Sequence, residues 1–186
     1  DDDADRERYQ TVYARESGSV AAPTPGLHFT TRVLDELESR GVQRTRITLH
    51  VGYGTFKPVR VDNVDDHEVD PERYSVSAEA ADALTRARRD GRRIIAVGTT
   101  TTRALESLLV DEGVVRSGEG ETSLFIRPGH RFELVSGLVT NFHLPKSSLL
   151  ILTAAFAGRD EILAVYRDAV HRRYRFYSYG DAMLIL

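Results

Sequence analysis

The 186-residue chain contains no cysteine. Disulfides, thiolate nucleophiles and cysteine-ligated zinc are excluded together. It also lacks any apolar run approaching the roughly 20 residues that a membrane-spanning helix needs. No signal-peptide pattern opens it, since "DDDADRERYQ" is charged where such a segment is apolar. These absences suit a cytoplasmic protein. A strong charge of one sign is missing too: the net charge is −3, so the surface is not basic throughout, although a local basic patch stays compatible. No GxGxxG and no Walker pattern occur, which disfavours a Rossmann cofactor site and a triphosphate-binding loop.

What is present is enough for one domain with a core: 41% of residues are hydrophobic and 28% charged. The opening has no initiator Met and runs straight into "RYQTVYARES", which reads as a helix already under way in a longer chain. "TPGLHFTTRVLDELESRG" predicts a second helix closed by Gly41, and "RITLHVGYG" a strand ending in glycines. "SAEAADALTRARRDG" is an amphipathic helix with Ser77 as N-cap. "RRIIAVG" predicts a short buried strand, "TTTTRALESLLVDEG" a helix and "TSLFIRPG" another strand. The apolar "SSLLILTAAFAG" and then "RDEILAVYRDAVHRRY" follow as helices, and "DAMLIL" closes as a strand. Strands separated by helices imply an α/β domain with a largely parallel sheet and flanking helices.

Ligands of parallel α/β sheets bind beyond the carboxyl ends of strands, and three predicted strand ends carry unusual polar groups. In "LHVGYGTFKPV", His50 ends a strand, and Gly52 and Gly54 flank Tyr53 before Thr55. Two glycines permit close backbone approach to a ligand, although a tight turn explains them equally well. In "AVGTTTTRALES" a strand, a glycine and four threonines open a helix. Its first N–H groups, with Thr99, Thr100 and Arg103, suit an anion, whereas a simple cap needs only one threonine. In "LVTNFHLPKSS", Pro145 and Ser147 set up the next helix, which leaves Asn141 and His143 without a structural job. An unperturbed imidazole titrates near pH 6.5, so His143 suits a general acid or base.

Two further stretches have a plainer preferred reading. "HEVDPERY" gathers His67, Glu68, Asp70 and Glu72, but the spacing fits no zinc pattern and a solvated acidic loop is preferred. "YRDAVHRRYRFYSYGDAM" interleaves arginines with aromatics, as RNA recognition does, while by charge alone it is the solvated face of a helix.

Taken together, "RYQTVYARESGSVAAPTPGLHFT", "LHVGYGTFKPV", "AVGTTTTRALES", "LFIRPG", "LVTNFHLPKSSLLILTAAFAG" and "YRFYSYGDAML" closely resemble the QueA family, the S-adenosylmethionine:tRNA ribosyltransferase-isomerases of queuosine biosynthesis. The resemblance implies that residues 1–186 are the major part of the family's α/β catalytic domain. The family's N-terminal segment and inserted small β-barrel domain would then precede Asp1. It implies a reaction in which S-adenosylmethionine gives up its ribosyl unit to a 7-aminomethyl-7-deazaguanine base in tRNA. Isomerisation gives epoxyqueuosine-tRNA, with release of adenine and methionine. S-adenosylmethionine is a co-substrate, and no metal or redox cofactor is implied.

Under that resemblance the residues acquire roles. His50, His143 and His28 are candidate proton carriers, and Asp181 of "SYGD" would pair with the sulfonium, the ribose hydroxyls or the amine. Asn141 and Tyr179 would hold adenine or the deazaguanine. Gly52, Gly54 and Thr55 would bind substrate, and Thr99, Thr100 and Arg103 would take the methionine carboxylate or an RNA phosphate. Arg172, Arg173 and Arg175 are the candidate RNA contacts. The chain departs from the family pattern at Val69–Asp70, Pro25, Ser136 and Glu121. A diverged relative that binds RNA or a nucleoside without turnover is the alternative reading.

Overall fold

In the computed structural model, which describes residues 9–186 except Ser17, Val20, 53–57, Asp62 and Leu109, the second predicted helix is two pieces. A 3-10 turn, Thr24–His28, is followed by α1 (Thr31–Ser39). The break lies at Phe29 and Thr30, both extended; Thr30 Oγ1 then caps α1 by accepting the Val33 N–H at 3.3 Å. Gly41, at φ +75°, follows the helix end as expected. Tyr9–Glu16, expected to be helical, holds no helix. Packing overrides local propensity there: a Cβ on Gly26 would come within 2.2 Å of the Tyr13 hydroxyl and 2.7 Å of the Thr11 methyl.

β1 (Thr48–His50), β2 (Glu72–Val76) and β6 (Gly118–Thr122) form an antiparallel sheet with β2 in the middle. Between β2 and β6 lie α2 (Ala78–Arg89), β3 (Ile95–Val97), α3 (Thr99–Glu106) and the hairpin of β4 (Val110–Asp111) and β5 (Val114–Val115). Ser77 caps α2 as its sequence predicts, accepting the Ala80 N–H at 3.2 Å. The second sheet has order β3–β7–β8, with β7 at Gly137–Asn141 and β8 at Ala182–Ile185. Between β7 and β8 run α4 (Ser148–Ala157), capped by Ser147, and α5 (Arg159–His171).

The class is mixed α/β, but the largely parallel sheet is not found among the described residues. Only the β3–β7 ladder is parallel; β1–β2, β2–β6, β4–β5 and β7–β8 are antiparallel. The two helices predicted there, α4 and α5, both lie between β7 and β8. They bring the chain back to the edge where β7 ended, so Ala182 faces Asn141 and β8 must run the other way. The strand expected at "TSLFIRPG" is displaced to Gly118–Thr122. Its backbone groups are diverted to side chains: Thr122 Oγ1 accepts the Leu124 N–H at 3.1 Å, and Arg103 Nε donates to the Leu124 carbonyl at 3.0 Å.

The core joins one face of α2 (Ala80, Ala81, Leu84) to Val76, Ala96, Leu105, Ile126, Leu138 and Leu152. α4 is apolar on every side, yet only Ser148, Leu152 and Thr153 of it are buried, so it is less enclosed than its sequence suggests. No helix among the described residues is long and apolar enough to cross a membrane.

Candidate functional site

β3 and β7 end side by side, and the chain leaves both ends into a common cavity of about 260 Å³. After β3 the turn residue Gly98 takes φ +100°, a conformation side chains resist, and α3 begins at once. No side chain caps α3, so its first N–H groups are unspent. The four threonines divide the work. Thr101 Oγ1 donates back to the Val97 carbonyl at 2.8 Å and Thr102 Oγ1 to the Gly98 carbonyl at 3.0 Å. Thr99 and Thr100, both buried, line the cavity.

After β7, Asn141 and His143 line the same cavity, together with Leu144, Pro145 and Lys146. Lys146 sits at φ +57°, an unfavourable region for a side-chain-bearing residue, and is exposed at the rim. The loop 175–181 folds over this turn: the Tyr177 N–H donates to the Phe142 carbonyl at 2.8 Å and the Phe142 N–H to the Asp181 carbonyl at 3.2 Å. Gly180 is required there, because a Cβ would lie 2.5–2.7 Å from the backbone of Arg175 and Phe176. Ala22, Pro23, Pro25, Val51 and Leu149 supply apolar walls.

His143 differs from the proton carrier expected near neutrality. It is only 8% exposed, and its Nε2 lies 2.7 Å from the hydroxyl of fully buried Thr140. Burial pushes its pKa down to about 4, so the imidazole is neutral at pH 7. Its backbone N–H donates to the Tyr166 hydroxyl at 2.8 Å, and burial raises that phenol to about 12. Nothing in the sequence singled out Thr140, three residues before His143; Tyr166, on α5, stood out only as one of the aromatics interleaved with arginines.

The buried imidazole makes folding acid-sensitive. Above pH 6.5 neither folded nor unfolded chain binds this proton. Between 6.5 and about 4 only the unfolded chain does, so stability falls across that window and levels off below it. The expected loss is about 3 kcal/mol by pH 4. Urea melts at pH 7 and pH 4.5 should show that part of the loss abolished in His143→Gln, and equal losses in both proteins would contradict the assignment.

Most of the other predicted site residues disperse, although His28 lies near enough to Asp181 for its charge to help lower the Asp181 pKa. His50 pairs across from Arg73 in the β1–β2 ladder, with its Nδ1 3.2 Å from where a Cβ on Gly18 would sit, and it does not line the cavity. His28 ends the 3-10 turn and Gly52 follows Val51; neither lines it. Gly54 and Thr55 lie outside the described residues. Tyr179 is 54% exposed and tilts its ring on Tyr9 at 5.5 Å. Asp181 is committed within its own loop, where its carboxylate accepts the Arg175 N–H at 2.7 Å and Nη2–H at 3.1 Å. Hydrogen bonds from the Arg175 backbone, then from its side chain, lower the Asp181 pKa.

Arg103 does not line the cavity either. It is 4% exposed and pairs with Glu72 at 2.8 Å, and it also donates to the backbone carbonyls of Leu124, Asp70 and Thr122. Desolvation lowers its pKa, and the Glu72 carboxylate opposes that shift. The pair ties α3 to the β1–β2–β6 sheet, which also places Glu72 in the interior instead of a solvated acidic loop. Among the basic residues near the C-terminus, Arg172 pairs with Asp168 at 2.9 Å and Arg175 with Asp181 at 3.1 Å, while Arg173 is exposed at φ +62°. Tyr166, Tyr174 and Phe176 pack on Phe142 with centroids 5.3–5.6 Å away; Tyr166 and Phe176 are half-buried, while Tyr174 stays 45% exposed.

The protein-family description "queuosine biosynthesis protein" matches residues 2–185. An S-adenosylmethionine:tRNA ribosyltransferase-isomerase of Symbiobacterium thermophilum is 59% identical over 97% of this chain and 53% of its own length. That of Geobacter sulfurreducens is 55% identical over 99% of this chain and 54% of its own. A solved structure, an S-adenosylmethionine tRNA ribosyltransferase from Thermotoga maritima, is similar at a TM-score of 0.72 and 46% identity, over 88% of this chain and 51% of that one. The chain thus spans about half the length of these relatives. A match running from residue 2 to residue 185 is more than shared architecture: the chain belongs to the queuosine biosynthesis protein family.

Proposed function

We propose that this chain forms the S-adenosylmethionine-binding part of a tRNA ribosyltransferase-isomerase. The reaction moves the ribosyl unit of S-adenosylmethionine to the aminomethyl arm of a 7-aminomethyl-7-deazaguanine base in tRNA and isomerises it, giving epoxyqueuosine-tRNA. Adenine and methionine leave. The observation that carries the reading is the cavity beyond the β3 and β7 ends, with its uncapped helix start, two polar turn residues and apolar walls. That is where ligands of parallel strand pairs sit, and its volume is just below the usual range of roughly 300–1,000 Å³ for small-molecule pockets. The names of the relatives supply the substrate class.

In this proposal His143 is the group of the chain nearest the chemistry, a neutral imidazole held by the Thr140 hydroxyl, with its backbone N–H held by Tyr166. The first N–H groups of α3 face the electron-rich atoms of the co-substrate, and Lys146 at the rim meets RNA phosphate. Arg172 and Arg173 extend a basic surface for tRNA. Asp181 enters as the clamp of the 175–181 loop. The reaction as proposed uses no metal or redox cofactor, and its tRNA substrate places it in the cytoplasm.

Replacing Thr99 and Thr100 together with Val should weaken S-adenosylmethionine binding about tenfold without unfolding the domain, as titration calorimetry would read. Unchanged affinity would reduce these threonines to helix starters. The reaction itself is tested by digesting tRNA after incubation of a family-length protein carrying residues 1–186 with S-adenosylmethionine. Epoxyqueuosine in the digest supports the proposal, and an RNA that is bound yet unmodified favours a binding protein without turnover.

A further inference from the structure

The contact between Thr140 and His143 fixes more than the position of a ring. Thr140 is 0% exposed, and its Oγ1 lies 2.7 Å from Nε2 of His143. A ring turned over would put a carbon at that point, and carbon meets oxygen no closer than about 3.3 Å, so Nε2 is the atom facing Thr140. By distance alone, either group is a possible donor. The Thr140 hydroxyl has no other partner among the described residues. If it accepted from an Nε2–H, its own proton would be left buried and unpaired. If it donates, only spare lone pairs go unused. A buried donor left unmade costs about 1–3 kcal/mol, whereas an under-used acceptor is better tolerated. The hydroxyl therefore donates, Nε2 keeps its lone pair, and the proton of the neutral ring sits on Nδ1.

The second nitrogen is not sealed. Nδ1 makes no hydrogen bond, yet the sealed side-chain atom without a partner among the described residues is Asn141 Oδ1 and not Nδ1. Nδ1 is thus open to a neighbouring space, and the space that His143 borders is the cavity beyond β3 and β7. The backbone is held as firmly as the ring. Thr140 pairs with Met183 in the β7–β8 ladder, and the His143 N–H donates to the Tyr166 hydroxyl at 2.8 Å. A donor fixed in this way needs no rearrangement at the moment of reaction.

We propose that Thr140 is a positioning residue: by donating to Nε2 it holds His143 in the Nδ1–H tautomer, so the ring offers the cavity a hydrogen-bond donor and not a base. Its counterpart is an acceptor atom of the substrate on which negative charge gathers as a bond breaks. A ring kept neutral by burial suits that part better than proton abstraction. Resting on the function proposed above, the assignment also moves the removal of the proton beside the sulfonium to a different group.

Nitrogen NMR of the family-length protein, with isotope-labelled histidine rings, tests the tautomer without any turnover. The His143 signals are identified by their loss in His143→Asn. At neutral pH Nδ1 should carry the proton and Nε2 the lone pair. Thr140→Val, of nearly the same shape, should mix the tautomers and cut kcat about tenfold with KM little changed, while Thr140→Ser restores both. Asparagine sets an amide nitrogen where Nδ1 stood, and glutamine sets one where Nε2 stood. His143→Asn should therefore turn over about tenfold faster than His143→Gln, because it alone keeps a donor at the cavity. A proton on Nε2 in the unchanged protein, or an Asn variant no faster than the Gln variant, would overturn the proposal. A proton on Nε2 with normal turnover of S-adenosylmethionine would leave the proposed function standing. A protein that holds the Nδ1–H tautomer but never cleaves S-adenosylmethionine would keep the tautomer and sink that function.

Discussion

His143→Ala is expected to cut turnover at least a hundredfold, the usual scale for loss of a group that handles a proton in the transition state. The fold should survive. Removing the imidazole leaves the Thr140 hydroxyl without its 2.7 Å partner and opens a small void, together worth about 1–3 kcal/mol. The pH profile separates a chemical role from a packing role. With its pKa held down to about 4, His143 stays neutral from pH 8 to pH 5, so its protonation should not reduce turnover anywhere in that range. His143→Gln, which keeps a polar side chain but cannot carry a proton, should remain as inactive as the Ala variant. Near-normal rates from either variant would make His143 a structural residue. Tyr166→Phe removes the acceptor of the His143 N–H and should lower the rate less than His143→Ala does, with KM little changed.

The second large effect concerns stability. Arg103→Met leaves the Glu72 carboxylate, 3% exposed, with its guanidinium partner gone. Breaking a buried pair from one side costs about 3–5 kcal/mol, a fall in Tm on the order of 10 °C for a chain of this size. Arg103→Met combined with Glu72→Met should recover a large part of that loss, because the buried carboxylate is then removed together with its guanidinium partner. A single variant as stable as the parent, or a double variant worse than the sum of its parts, would show that the pair is not what fixes α3 against the β1–β2–β6 sheet. The same experiment tests whether the α3 start depends on its anchor: S-adenosylmethionine affinity should weaken in the single variant and return with stability in the double.

What could be read from the sequence was what local chemistry decides. Ser77 and Ser147 announce α2 and α4 because a hydroxyl cap acts within three residues. Gly98 announces the turn into α3 because its positive φ suits a residue without a side chain. Asn141 and His143 could be singled out as polar groups that the turn itself does not need. The remainder depended on distant partners. Arg103 looks like a ligand-facing cation until Glu72, 31 residues earlier, is seen against it. Asn141 is oriented by carbonyls 36–39 residues downstream. Glu106 gives no signal at all, yet its buried carboxylate takes the N–H groups of Glu133, Leu134 and Val135 at 2.8–3.0 Å. Sheet direction was misjudged because the periodicity marks strands and helices without showing at which end of β7 the chain re-enters the sheet after α4 and α5.

Adenine release is the most direct measure of the proposed chemistry. A family-length protein carrying residues 1–186 would be incubated with S-adenosylmethionine and with tRNA bearing the aminomethyl-deazaguanine, and adenine and methionine would be quantified by chromatography. The account predicts equimolar adenine and methionine, dependent on the modified tRNA, and at least a hundredfold less of both from His143→Ala. Intact S-adenosylmethionine, or its conversion to the demethylated thioether by methyl transfer, would contradict it.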